Sequence, residues 1–125
     1  MQTVYTVYLT SAAGRGTKFL HETLLAGVPP TERKNIKIIT TYLSKYGSQL
    51  LAPNDTSSYR YIRVVIDVPK NKFQNPEDKQ ALLQRTFDAC IDYEGKYASQ
   101  CEVEIKINEV EDENYMRGRG RGVAA

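Results

Sequence analysis

The stretch from Tyr59 to Gly122 decides the fold. It opens Tyr59-Arg-Tyr-Ile-Arg-Val-Val-Ile-Asp-Val68, a nearly continuous apolar run ended by Pro69. Asn75-Pro76-Glu77-Asp78 follows, with Leu82, Leu83, Phe87, Cys90 and Ile91 behind it at helical spacing to about Tyr93. Cys101-Glu-Val-Glu-Ile-Lys-Ile-Asn108 then alternates apolar and polar residues. The stretch closes on Glu109-Val-Glu-Asp-Glu-Asn-Tyr115-Met-Arg117-Gly-Arg119-Gly-Arg121-Gly122. These patterns predict a buried strand, an amphipathic helix and a half-buried strand. Asn75 is placed to cap the helix. Pro76 suits its first turn, and the two acids face the positive end of the helix dipole. A strand-helix-strand unit of this size cannot bury its own apolar face.

The N-terminal third repeats the plan. Thr3 to Leu9 (TVYTVYL) is β-branched and aromatic throughout, which predicts a strand covered on both sides. Thr17 to Ala26 places Phe19, Leu20, Thr23 and Leu24 on one helical face, and Gly27 with Pro29-Pro30 stops the helix. Asn35 to Leu43 alternates Ile36, Ile38, Thr40 and Tyr42, a second strand. The expected organisation is a single α+β, two-layer domain over residues 1–125. A first β-α-β unit spans 1–43, a loop 44–58, a second unit 59–110 and a closing segment 111–125. Right-handed crossovers make the strands parallel within each unit. The result is a four-stranded sheet with two helices on one face. The other face stays open, and an apolar open face predicts a homo-oligomer.

Composition excludes several classes. With 41% hydrophobic and 26% charged residues, the chain reads as one ordinary globular domain. No apolar run is long enough to span a membrane, and Met1-Gln-Thr-Val-Tyr lacks a basic start and a signal core. A cytoplasmic protein without a membrane partner is expected. Cys90 and Cys101 lack metal-ligand spacing and the chain has one histidine, His21, so no metal or other cofactor is expected. The cysteines read as small buried hydrophobes, and His21 reads as exposed. A net charge of +2 is too small to imply nucleic-acid binding.

Three motifs, taken in order, resemble the tautomerase superfamily, and within it malonate semialdehyde decarboxylase and its relatives. Gly27-Val-Pro-Pro-Thr-Glu32-Arg33 is similar to a Gly-Val-Pro-Pro-x-Asp-Arg motif between first helix and second strand. Val64 to Lys70, leading into Pro76-Glu-Asp-Lys79-Gln80, resembles that subgroup's strand, Arg-Pro-Arg turn and helix start. Glu109 to Gly122 resembles its final strand, aromatic residue and Gly-Arg-Gly-Arg close. The resemblance implies two β-α-β units per chain, a trimer, and a site at the start of the first strand. There an N-terminal proline acts on small oxo or enol acids held by cations.

The chain departs from that pattern at the site itself. Where the family has the proline, this sequence has Gln2 after Met1. Methionine before glutamine is expected to stay, leaving a primary amine at Met1, one residue further out. Loss of Met1 in a mass spectrum would overturn this expectation. The family's acid falls on Glu32. The two arginines of its turn fall on Val68 and Lys70, so a forked guanidinium clamp is reduced to one ammonium. The resemblance therefore implies Met1, Gln2 and Glu32 as the catalytic group, and Lys70, Tyr115, Arg117 and Arg119 as the group holding a carboxylate. Read without it, Lys70 and Lys72 are solvated turn lysines, Glu32 a surface acid, and the tyrosines packing residues. The arginine-glycine run is then a solubilising tail or a weak RNA-binding segment. The expected function is binding of small oxo or enol carboxylic acids with weak tautomerase or decarboxylase activity. The alternatives are a non-catalytic oligomeric scaffold or an RNA-binding protein.

Overall fold

In the computed structural model, residues 1–10, 15–43 and 60–120 are described. Strand β1 (Thr3–Leu9) leads to helix α1 (Gly16–Leu25), a one-turn helix α2 (Pro30–Arg33) and strand β2 (Ile36–Tyr42). Strand β3 (Arg60–Pro69), helix α3 (Pro76–Glu94) and strand β4 (Cys101–Val110) form the second unit. The sheet order is β2-β1-β3-β4. β1 and β2 are parallel, β3 and β4 are parallel, and the two units meet antiparallel through β1 and β3. This is the expected arrangement of two β-α-β units, with both long helices on one face.

The strand pattern explains the core. On β1, Thr3, Tyr5, Val7 and Leu9 point under the helices, and on β3 so do Ile62, Val64, Ile66 and Val68; all eight are buried. Leu20 and Leu24 of α1 close over them, as expected. Alternation on β4 is also as expected, with Cys101, Val103, Ile105 and Ile107 packed against the core.

Four expectations change. β1 is covered on one face only, because Val4, Thr6 and Tyr8 stay half-exposed in the single chain. The buried stripe of α3 is Leu82, Thr86, Ala89, Cys90 and Tyr93, whereas Phe87 is 39% exposed. Thr86 is tolerated in that stripe because its hydroxyl donates to the Leu82 carbonyl at 2.7 Å, so no polar group is left unpaired. Asn75 stands at the N-cap but its side chain makes no capping hydrogen bond; the Asp78 N–H instead finds the Asn75 backbone carbonyl at 3.1 Å. His21 is half-buried rather than exposed, with Nε2 hydrogen-bonded to Thr40 Oγ1 at 2.8 Å. At its other end α3 stops on Gly95, whose φ of +59° is a conformation that glycine adopts without strain. The loop at 44–58, Tyr59 and the last residues, Arg121 and Gly122 included, lie outside the described residues. Among the described residues no helix is long and apolar enough to cross a membrane.

Candidate functional site

Three chain segments converge at the end of the sheet where β1 begins. The Thr3 N–H donates to the Asn35 carbonyl at 2.9 Å, tying the start of β1 to the start of β2. Between α1 and β2, Pro29-Pro30 starts α2, with Glu32 and Arg33 N–H groups on the Pro29 carbonyl. Arg33 Nε donates to the Val28 carbonyl at 3.0 Å and holds this loop against the body of the domain. That geometry presents Glu32. On the opposite side, the turn after β3 is closed by the Lys72 N–H on the Pro69 carbonyl at 3.0 Å, and it carries Lys72 and Phe73 inward. Helix α3 supplies Asp78, Ala81, Leu82 and Arg85, spaced i, i+3, i+4 and i+7 along one face.

Together these segments enclose a cavity of about 240 Å³. Its floor is Thr3, Tyr5, Val28 and Leu82, all buried, and its rim carries Glu32, Lys72, Asp78 and Arg85. None of the four rim charges is in an ion pair among the described residues. Burial pushes the Tyr5 phenol up, and the adjacent Arg85 guanidinium pulls it part of the way back. A small cavity with a mostly apolar floor and separated charges at its rim can orient a small polar molecule.

The structure brings some of the expected site residues to this cavity and not others. Glu32 lines it. Met1 and Gln2 immediately precede Thr3 and are half-buried, but neither is among the lining residues. Lys70 lies in a different cleft of about 490 Å³ with Glu111, Asp112 and Glu113. Its Nζ sits 2.7 Å from Glu111 Oε1. That contact holds the Lys70 ammonium above its usual range and the Glu111 carboxyl below its own. Tyr115 follows a short turn at Asp112–Asn114, and Arg117 and Arg119 run outward from it, exposed. Tyr5, Lys72 and Arg85 are brought in instead. Tyr5 and Lys72 read as packing and turn residues in the sequence. Arg85 stands out only once Asp78, Ala81 and Leu82 are seen to share its helical face.

No protein-family model and no curated protein matches the chain's sequence. Solved structures do match its shape. One is the fused 4-OT protein Q0, a wild-type symmetric trimer, at 12% identity and a TM-score of 0.68, with 94% of each chain covered. The fold is that of the tautomerases. A second tautomerase-fold neighbour is Pt0534 inactivated by 2-oxo-3-pentynoate, at 17% identity and a TM-score of 0.66, covering 94% of this chain and 93% of that one. A third, N1, is a member of the cis-3-chloroacrylic acid dehalogenase family, at 19% identity and a TM-score of 0.62, covering 91% of this chain and 79% of that one. At these identities the likeness establishes the tautomerase fold and leaves the chemistry to the site.

Proposed function

We propose that this tautomerase-fold protein binds a small oxo or enol carboxylic acid in the cavity at the start of β1. The observation that carries the reading is the meeting of Glu32, Lys72 and Arg85 around a buried floor at that strand end. Cations there offset the ligand's carboxylate, and Glu32 polarises its oxo group or orients a water. Turnover is weak, tautomerase-like or decarboxylase-like, because Gln2 stands where a catalytic proline amine would be. Met1 and Gln2 then contribute at the cavity's outer end. The neighbours that are trimers support a homo-oligomer, and we take a trimer as its form. Packing between copies would use the open sheet face. Lys70, Tyr115, Arg117 and Arg119 do not line the cavity of their own chain, so this reading assigns them to the cavity of a neighbouring copy.

The test is a ketonisation assay with phenylenolpyruvate, paired with titration of the acid followed by backbone amide shifts. The expected outcome is shifts at Thr3, Val28 and Leu82, slow turnover, and a loss of kcat of about tenfold or more in Glu32→Gln. Absence of any shift at millimolar acid would sink the reading in favour of a non-catalytic scaffold.

A further inference from the structure

The cavity has a direction. β1 and β3 are antiparallel and pair Val4 with Asp67, so the beginning of β1 lies beside the end of β3. Lys72, Asp78 and Thr3 therefore mark one end. Tyr5 lies two residues further along β1, and Arg85 lies two helical turns, about 10 Å, further along α3 than Asp78. Both line the cavity, and the Arg85 guanidinium is near enough to the Tyr5 hydroxyl to draw its phenol back down against burial. The stem of Arg85 passes beneath the loop after α1 because residue 27 is glycine: a β-carbon there would stand 2.7 Å from Arg85 Cδ and 3.3 Å from Nε.

This pair, Tyr5 in the floor and Arg85 exposed at the rim, is chemically one-sided. A guanidinium is a donor only, so the phenol oxygen is the acceptor of their contact. The Tyr5 O–H is then left to donate, and it has no acceptor among the described residues although Tyr5 is only 2% exposed. A buried donor without an acceptor is rare and calls for a partner in the cavity. Arg85 likewise has no carboxylate within ion-pair reach among the described residues. Of the two rim carboxylates, Glu32 lies on α2 in the loop after α1 and Asp78 on α3 two turns before Arg85.

We propose that Tyr5 and Arg85 form the carboxylate-binding end of the cavity, so that an oxo acid lies with its carboxylate on them and its oxo or enol group beside Glu32 and Lys72. The guanidinium and the phenol offer converging donors to one carboxylate, a charge-assisted arrangement stronger than a lone ammonium. That end recognises a monocarboxylate with a short chain. A second carboxylate would fall among Glu32 and Asp78 and be repelled.

This assignment rests on the oxo-acid reading above, and the experiment separates the two. The full chain, its Arg85→Met, Arg85→Lys, Tyr5→Phe and Gly27→Ala variants, and Lys72→Met are titrated with phenylpyruvate and with phenylacetone, which lacks the carboxylate. Thermal unfolding checks each variant's fold. The expected result is a Kd for phenylpyruvate raised at least tenfold in Arg85→Met and several-fold in Tyr5→Phe. Gly27→Ala, which displaces Arg85 while keeping its charge, also weakens the acid. Arg85→Lys recovers only part of the affinity, and phenylacetone binding stays as weak in every variant as in the parent. Unchanged acid affinity in folded Arg85→Met and Tyr5→Phe, with affinity lost in Lys72→Met, overturns the Tyr5–Arg85 assignment and leaves the cavity reading standing. Absence of acid binding by the parent chain overturns both.

Discussion

At the residue scale, the most constrained side chain is Glu94, the last residue of α3. Its carboxylate is 2% exposed and receives both Nε and Nη2 of Arg60 on Oε2, at 3.0 and 2.8 Å. Tyr97 stacks on the guanidinium at 4.3 Å from its ring centroid, and Cys101 Sγ lies 3.5 Å from Oε1. Such a pair adds little over an apolar replacement, but removing one partner strands the other. Arg60→Met is therefore expected to destabilise the domain by about 3–5 kcal/mol, read from urea unfolding, the lower end being favoured by solvent at Arg60. An effect below about 1 kcal/mol would show that Glu94 finds water instead. The two thiols near Glu94 give a pH prediction. Burial, then the Glu94 charge, pushes Cys90 and Cys101 up to about 12 from an ordinary 9.0. Above about pH 9 the unfolded chain releases thiol protons that the folded chain keeps. Stability contributed by the protonated thiols is thus complete below pH 9 and falls as pH rises toward 12. The urea midpoint should decline over that window, and Cys90→Ala with Cys101→Ala should flatten the decline. An identical slope in the double variant would contradict the assignment.

At the scale of elements, α3 shows what periodicity can and cannot say. Leu82, Leu83, Phe87, Cys90 and Ile91 define a helix correctly but centre its stripe one position off. The true stripe contains Thr86, whose hydroxyl is satisfied within the helix, and Tyr93, which looks polar in a sequence yet is fully buried. Tyr93→Ala should therefore cost about 3–5 kcal/mol and Phe87→Ala less than about 1 kcal/mol, measured by chemical denaturation. The reverse order would restore the stripe predicted from spacing. Strands were easier to read because their period of two leaves less room for error: Ile62, Val64, Ile66 and Val68 stand on one face in any register. The site was legible only in part. Glu32 was marked by the resemblance of Gly27 to Arg33 to a family motif, a local signal. Tyr5 and Arg85 are brought together by the packing of α3 across β1, which no local pattern encodes. The pairing of Lys70 with Glu111 was not legible, because a turn position says nothing about an acid arriving just after the end of β4.

At the scale of the whole molecule, the open sheet face is the feature that still lacks a cover. Its central row runs Ile39, Thr6, Val65 and Lys106 across all four strands. Ile39 is 45% exposed, and the flanking rows add Val4 and Tyr8 before ending in Arg63–Glu104 and Asp67–Asn108 contacts. An apolar centre with a polar border has the anatomy of an interface core and rim. A lysine at its centre should abolish association: Val65→Lys is expected to sediment as a monomer with its circular dichroism kept, while the parent sediments as an oligomer. A monomeric parent at micromolar concentration would refute the assembly proposed above.

The antiparallel meeting of β1 and β3 also makes the chain a tandem of two half-molecules related by a near two-fold axis through the sheet. Each half has a strand start facing the segment that follows its own long helix. In the first half that junction holds the Glu32 cavity; in the second, the corresponding corner carries the Arg60–Glu94 ion pair with Tyr97 stacked on it, beside a cleft of about 300 Å³ lined by Arg15, Glu94 and Tyr97. The two corners differ in how their acid is held: Glu32 has no ion-pair partner among the described residues and stays available to a ligand, while Glu94 is locked to Arg60 and serves as a cornerstone.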